Sequence, residues 1–345
     1  MKKLYSEIVF IGRFQPVHNA HVEVLRKAHS LADRVIVVLG SAHQPRSVKN
    51  PFTADERKHL LEQAWYKIAP ITEKHLVIVS VEDNIYNDQA WAVSVQDAVQ
   101  QYLTKNVGLI GFHKDESSFY LDMFPQWTTI NHEQVEPLHA MEVRDHYFIR
   151  NSNMKYLSGV LPESSFQFLE QFKEGVAYDY IAGEKEFIDN YKKQYEHYPY
   201  PPVFVTSDAV VIQSGNVLMV TRRGRPGKGQ LAFPGGFLNA KTDKSMEDCM
   251  IRELYEETGL KVPEKIVRGS IQNVKVFDAI ERSTRGRTIT HAFKIIFKDG
   301  EWNLPKVKGG DDAEHAQWVP ISQVKRENTF EDHFSILQWA LGSTN

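Results

Sequence analysis

Over its first 40 residues the chain alternates an apolar run, EIVFIG (7–12), a stretch with apolar residues at helical spacing, HVEVLRKAHSLA (21–32), and a second β-branched run, RVIVVLG (34–40). Strand, loop, helix and strand in that order make a β-α-β unit, and such a unit implies a parallel sheet. Further strands are predicted at 75–81 and 107–112, and helices near 53–67, 89–105 and 162–174. A doubly wound α/β domain follows.

From Gly183 to Tyr198 the pattern turns polar and charged, GEKEFIDNYKKQYEHY, and then meets Pro199, Pro201 and Pro202. This predicts a helical linker with a stiff end. Beyond it the runs VFVTSDAVVIQ and NVLMVTRR flank Ser214, Gly215 and Asn216, the signature of a β-hairpin and of a different fold. The expected division is a first domain over 1–182, a linker over 183–199 and a second domain over 200–345, with no internal repeat.

Length supports two domains, since 345 residues exceed what one hydrophobic core usually organises. With 42% apolar and 25% charged residues the chain is neither disordered nor collagenous, and its single Cys249 excludes a disulfide scaffold and suits a reducing, cytoplasmic setting. A net charge of −3 gives no global pull toward nucleic acid or an anionic membrane, so neither is expected as a partner. No apolar run is long enough to span a bilayer, and Glu7 and Arg13 interrupt any leader-like start. A homo-oligomer is compatible with the sequence, which does not set the oligomeric state.

Candidate chemistry begins at GRFQPVHNAH, Gly12 to His21, between the first strand and the first helix. Ligands of open α/β sheets sit at the carboxyl ends of strands, and a helix N-terminus there favours an anion. His18 and His21, three apart, face that position; Gly12 allows close approach and Arg13 adds a permanent charge. The alternative is that both histidines cap or pack.

The segment resembles the HxGH signature of the nucleotidyltransferase superfamily, and GRFQP narrows the resemblance to archaeal-type nicotinamide mononucleotide (NMN) adenylyltransferases. It continues through GSAHQPRSVKNPFTADER (40–57) and IYNDQAW (85–91) and covers roughly residues 7–175. The resemblance implies that His18 and His21 hold the ATP phosphates, that Arg13 and Arg144 also contact phosphate, and that Asn87, Asp88 and Trp91 line the nicotinamide pocket. Core packing is the alternative for Trp91. Two departures stand out: Ala20 replaces the usual glycine, and in HAMEVR (139–144) Ala140 and Met141 replace hydroxyl residues, leaving Arg144 and His139 to meet phosphate.

The second candidate lies in GGFLNAKTDKSMEDCMIRELYEETGL (235–260). A Gly-Gly turn and a helix over Lys244–Thr258 are predicted, capped by Asp243 or Ser245 and ended by Gly259. Glu253, Glu256 and Glu257 then share one face, where hard oxygen ligands suit Mg²⁺ or Mn²⁺. A solvated acidic face is the alternative.

The whole string resembles the Nudix box of nucleoside-diphosphate-linked hydrolases. That resemblance implies metal binding by Glu253, Glu256, Glu257 and the Gly235 carbonyl, with Arg252 orienting a glutamate. Fifteen residues separate Gly236 from Arg252 where thirteen are usual, and Lys244 occupies the first box glutamate, with Asp243 or Glu247 as stand-ins. A water-activating base is expected among Asp311, Asp312 and Glu314, with Glu314 preferred. STRGRTITHAF (283–293) resembles an arginine-rich segment of ADP-ribose pyrophosphatases, which brings Arg285 or Arg287 to the substrate.

Together these features predict an α/β protein, a Rossmann-like doubly wound nucleotidyltransferase domain followed by an α+β Nudix domain. The resemblance implies a bifunctional enzyme of NAD metabolism acting on ATP, NMN and ADP-ribose. The alternatives are another nucleotidyltransferase fused to a nucleotide-sanitising hydrolase, or a Nudix half that senses ADP-ribose without cleaving it.

Overall fold

The computed structural model describes residues 3–69, 75–111, 116–132, 140–150, 152–299, 303–310 and 313–342. It divides into two compact units, Met1–Lys185 and Glu186–Asn345. The first contains strands β1 (Tyr5–Gly12), β2 (Ala32–Leu39), β3 (Leu76–Ser80), β4 (Val107–Gly111) and β5 (Thr128–Asn131). Its helices are α1 (Asn19–Leu31), α2 (Ala54–Tyr66), α3 (Asp88–Gln100), α4 (Ala140–Tyr147) and α5 (Glu163–Phe172). Helix α6 (Val176–Lys193) starts ahead of the polar stretch and carries the chain across the division.

All five strands are parallel, in the order β3-β2-β1-β4-β5. Ile8, Phe10, Val35, Val37 and Leu39 pack with α1 and α2 on one face of the sheet. Val9, Ile11, Ile36 and Val38 pack with α3 and the 3₁₀ segment Glu116–Met123 on the other. Burial on both faces explains why these strands read as continuous apolar runs rather than alternating ones. Each such side chain contributes about 1.5–3 kcal/mol on leaving water. The order places β1 at the centre, and its carboxyl end opens into the Gly12–His21 loop.

The second unit holds β6 (Val203–Gln213), β7 (Asn216–Arg222), β8 (Leu231–Ala232), β9 (Gly235–Phe237), β10 (Ile271–Phe277), β11 (Arg287–Ile296) and β12 (Ala313–Pro320), with α7 (Met246–Thr258), α8 (Glu264–Gly269) and α9 (His333–Ala340). The sheet is mixed: β6 and β11 run parallel while the other pairs are antiparallel. The predicted hairpin is present, Gln213 opposite Asn216, with Ser214 and Gly215 at φ 47° and 71° as a tight primed turn requires. Met250, Ile251 and Leu254 of α7 pack on Ala209, Val211, Leu218, Phe293 and Ile295.

Two local expectations change. The helix predicted over Lys244–Thr258 starts at Met246 rather than Lys244, because the Ser245 hydroxyl accepts the Asp248 N–H at 3.1 Å and ends the loop there. Gly235 and Gly236 form strand β9 instead of a turn. Their glycine character serves close approach: a Cβ on Gly235 would lie 2.2 Å from the Ser207 carbonyl oxygen, and one on Gly236 2.5 Å from the Glu253 carboxylate.

Candidate active sites

In the first unit, His18 is the N-cap of α1 and His21 lies in its first turn, so the spacing stacks their rings, centroids 3.6 Å apart. The His18 backbone N–H donates to His21 Nδ1 at 3.2 Å. With Nδ1 accepting, the neutral ring carries its proton on Nε2 and presents a donor. Burial first, and the neighbouring His18 second, hold the His21 pKa well below its ordinary value. Phe14, at φ 52°, closes the other side with its ring 4.7 Å from that of His21. The space a Gly12 side chain would need is filled by the Phe14 ring, 2.9 Å from a built Cβ.

Three arginines gather at the loop that follows β1. Arg13 is exposed, whereas Arg144 is buried in α4 and its Nη1 donates to the Gln15 carbonyl at 2.8 Å. Burial, followed by repulsion from Arg13, pulls the Arg144 pKa down to about 10. Arg57, absent from the sequence-based candidates, is 1% exposed and donates to the carbonyls of Arg13 (2.6 Å), Gly40 (2.7 Å) and Ser41 (3.2 Å). It ties the loop after β1 to the loop after β2. Gln15 adds a second tie through paired 2.9 Å bonds to the Phe52 backbone. The signal was the arginine inside the 40–57 motif, whose burial the sequence does not show.

Asn87 caps α3 by accepting the Ala90 N–H at 3.0 Å, and Asp88 is exposed in its first turn. Trp91 is partly buried beside Tyr120 and Phe124, ring centroids 6.2 and 6.0 Å away, so it packs against the core and keeps some exposed surface. Ala20 sits in the first turn of α1, and Met141 is 61% exposed at the start of α4. His139 lies outside the described residues, as do Asp311 and Asp312.

The second site forms where β9 meets α7. Leu238 N–H bonds to the Val205 carbonyl (3.0 Å) and the Pro234 carbonyl accepts Ala209 N–H (2.8 Å), so the ladder to β6 uses the neighbours of Gly235. By antiparallel alternation Gly235 turns its own N–H and C=O to the open edge. There its N–H donates to Glu257 Oε2 at 3.0 Å. Burial pushes the Glu257 pKa up to about 8, the Gly235 bond opposing that rise. Burial likewise raises Glu253.

Arg252 organises the remaining acids. It donates to Glu253 Oε1 (2.7 Å), to Glu256 Oε2 (2.9 Å), to the Phe237 carbonyl (3.1 Å) and twice to Asp243 (3.0 and 2.9 Å). Pairing with Arg252 depresses Asp243 to about 2. The longer box is thereby explained. Residues 239–243 close on themselves through Asn239 N–H to Asp243 Oδ2 (2.8 Å) and Asp243 N–H to the Asn239 carbonyl (2.9 Å), which delivers Asp243 to the guanidinium. Glu247, the other stand-in, pairs with Arg268 at 2.6 Å instead.

Among the described residues no three His, Cys, Asp or Glu side chains are preassembled as a metal cage. The residues nonetheless fit a divalent cation. Glu257 is a buried carboxylate with no cationic partner in its hydrogen bonds, the Gly235 carbonyl lies on the same open edge, and every donor is a hard oxygen. Glu314 is exposed at the start of β12. Arg285 lies over the rings of Phe237 and Phe330, and Arg287 opens β11.

Comparison with known proteins bears on both units. Residues 9–146 match the Cytidylyltransferase-like family and residues 203–340 the NUDIX domain. A nicotinamide/nicotinic acid mononucleotide adenylyltransferase of Acinetobacter baylyi is 36% identical over 177 residues, 50% of this chain and 90% of that protein. The crystal structure of a bifunctional NMN adenylyltransferase/ADP ribose pyrophosphatase from Francisella tularensis, complexed with AMP and a Mn ion, is 30% identical, with 98% of this chain and 99% of that chain covered at a TM-score of 0.88. The chain belongs to this bifunctional family. An ADP-ribose pyrophosphatase of Methanocaldococcus jannaschii is 31% identical over 134 residues, 39% of this chain and 70% of that protein.

Within the bifunctional family's two-unit plan, a wall behind the second site was not legible in the sequence. Asp208 stands opposite Gly235 in the ladder and takes the Thr290 hydroxyl at 2.6 Å. Arg282 and Asp332 form a bidentate pair at 2.9 Å with side chains 4% and 2% exposed. His333 accepts the Phe233 N–H at 2.9 Å, and burial takes its pKa down to about 3.

Proposed function

We propose that the first unit transfers the adenylyl group of ATP to NMN, giving NAD and pyrophosphate, and that the second hydrolyses ADP-ribose to AMP and ribose 5-phosphate. The end-to-end likeness to the Francisella tularensis bifunctional protein carries this reading. Both candidate sites retain the chemistry it needs.

For adenylyl transfer, a phosphate oxygen of NMN attacks the α-phosphorus of ATP and the bond to the β-phosphate oxygen breaks, releasing pyrophosphate. Two polyanions must meet, so the requirement is positive charge and fixed donors rather than a base. His21 Nε2–H, His18, Arg13 and Arg144 supply these at the start of α1, where the helix adds its own positive end. Gly12 lets Phe14 close over His21. Asn87, Asp88 and Trp91 receive the nicotinamide nucleotide, with Trp91 offering a flat face to the pyridinium.

For hydrolysis, Mg²⁺ or Mn²⁺ when bound polarises the diphosphate and lowers the pKa of water. Glu253, Glu256, Glu257 and the Gly235 carbonyl would hold it. Arg252 orients Glu253 and Glu256, Arg285 and Arg287 meet the substrate, and Glu314 is the base that takes the proton from water. The buried Glu257, aimed at an open backbone edge, favours a hydrolase over a sensor.

The reading concerns small nucleotides in the cytoplasm, with no nucleic-acid partner. No helix among the described residues is long and apolar enough to cross a membrane. Incubating the protein with ATP, NMN and Mg²⁺, and separately with a panel of diphosphates, tests both halves by product identity. NAD in the first and AMP with ribose 5-phosphate in the second are expected; a product from another acceptor, or preference for an oxidised nucleotide, would replace the corresponding half of the reading.

A further inference from the structure

Between β8, which pairs with β7, and β9, which pairs with β6, the chain moves from one strand to its neighbour through Phe233 and Pro234. Gly235 follows at once, and a glycine backbone is the least able to hold its own direction. Its orientation therefore depends on what anchors the residues beside it. On one side the Pro234 carbonyl accepts the Ala209 N–H at 2.8 Å. The other anchor comes from a distant part of the chain, where His333 Nδ1 accepts the Phe233 N–H at 2.9 Å.

His333 is itself held from several sides. It opens α9 and is buried, directly after the Asp332 carboxylate that Arg282 grips twice at 2.9 Å. The Phe330 N–H donates to the Leu231 carbonyl at 2.8 Å, and Leu231 bridges Thr329, so this segment runs beside the one that leads into β9. The Phe233 ring stacks on the imidazole, centroids 5.3 Å and planes 20° apart, and the Phe330 ring lies 5.6 Å away. The ring has little freedom to turn.

With Nδ1 accepting, the imidazole carries its proton on Nε2, and Nε2 lies 4.0 Å from Asp208 Oδ1. Asp208 is the partner of Gly235 across the ladder, so close that a Cβ on Gly235 would lie 2.6 Å from that same oxygen. One rigid ring thus addresses both the backbone leading into Gly235 and the side chain opposite it. We propose that His333 is a positioning residue of the second site: through the Phe233 N–H and Asp208 it sets the direction of the Gly235 carbonyl and N–H, and with them the geometry that Gly235 and Glu257 offer to a divalent cation. This rests on the reading of Gly235 and Glu257 as cation ligands and adds the residue that aims them. Such outer partners govern affinity because a ligand pointing a few tenths of an ångström astray binds poorly.

The test is Mn²⁺ binding to the full chain without substrate, read from the electron paramagnetic resonance signal of the free ion. His333→Leu keeps bulk but accepts no hydrogen bond, and should weaken Mn²⁺ binding about tenfold, while the KM for ADP-ribose at saturating metal stays within about twofold. His333→Asn sets an amide oxygen near the place of Nδ1, where it still accepts the Phe233 N–H, and should bind Mn²⁺ within about threefold of the unaltered chain. If His333→Leu does not fold, His333→Gln takes its place: its amide reaches toward Nε2 instead, so it should bind Mn²⁺ more weakly than His333→Asn. Unchanged affinity in His333→Leu, no advantage of His333→Asn over the other variants, or a KM that rises as steeply as the metal constant overturns the positioning role. Glu257→Gln separates this from the metal reading beneath it. If Glu257→Gln binds Mn²⁺ as the unaltered chain does, the ligand assignment fails and this inference with it; if it loses binding while His333→Leu does not, only the positioning role falls.

Discussion

The two sites face the same class of substrate with opposite charge. In the first unit the side chains proposed to meet a nucleotide are histidines and arginines around a helix N-terminus, and Arg57 fixes three carbonyls in two loops. In the second, the facing groups are carboxylates, two of them held off by Arg252 and one, Glu257, left buried against a backbone N–H. A cationic site attracts its phosphates directly. An acidic site has to recruit cations first, and burial of Glu257 makes that recruitment favourable, since the carboxylate gains a partner it lacks. The contrast accounts for why the carboxylates of the second site, among the described residues, are not preassembled as a cage.

The sharpest way to break the comparison is Glu257→Gln. It deletes one charged ligand at the acidic site, so hydrolysis of ADP-ribose should fall to background while NAD synthesis is unchanged. Parallel loss of both activities would mean that the sites are not independent. Next in size, His18→Ala or His21→Ala should lower the rate constant of NAD synthesis about a hundredfold, the loss of one transition-state contact worth about 3 kcal/mol, and leave hydrolysis intact. Near-normal synthesis by both variants would remove the histidines from the chemistry.

A finer division concerns Trp91, which the structure shows both packed on Tyr120 and Phe124 and partly open. Trp91→Ala should raise the KM for NMN about tenfold with that for ATP little changed, if its face meets the pyridinium. Equal weakening of both substrates would assign it to packing. The smallest effect expected is acid sensitivity of the second unit. His333 is held neutral by burial at a pKa of about 3 against an ordinary 6.5, so as pH falls below about 6.5 the unfolded chain binds a proton that the folded chain refuses. Stability contributed above that pH is lost progressively toward pH 3. The Tm of the second unit should drop by a few degrees between pH 7 and pH 5, and by less in His333→Gln; an unchanged slope would shift the acid response to other groups.

Periodicity alone determined much of the architecture. The runs at 7–12, 34–40, 75–81 and 107–112 are strands because both faces of a parallel sheet are covered, which leaves no polar alternation to confuse with a surface. The hairpin at Ser214 and Gly215 and the helix bearing Glu253, Glu256 and Glu257 were equally legible, since a primed turn, a serine cap and a C-terminal glycine are local devices. Motif spacing pointed to both sites because His18 with His21, and the three glutamates, are neighbours on single helices.

What only the tertiary structure decided are relations between distant segments. Arg57 becomes the tie between two loops because the folded chain leaves three carbonyls facing its buried guanidinium, and nothing local marks a charged residue as buried. Asp243 rather than Glu247 reaches Arg252 because the extra residues of the box close a turn, a geometry that spacing rules do not carry. Gly235 and Gly236 are glycines for want of room beside Ser207 and Glu253, not for a turn's dihedrals. Asp208, Arg282, Asp332 and His333 assemble behind the acidic site from strands and loops more than 40 residues apart in pairs such as Arg282 and Asp332. A buried charge is stable only beside its partner, and that partner is chosen by packing, which a linear pattern does not encode.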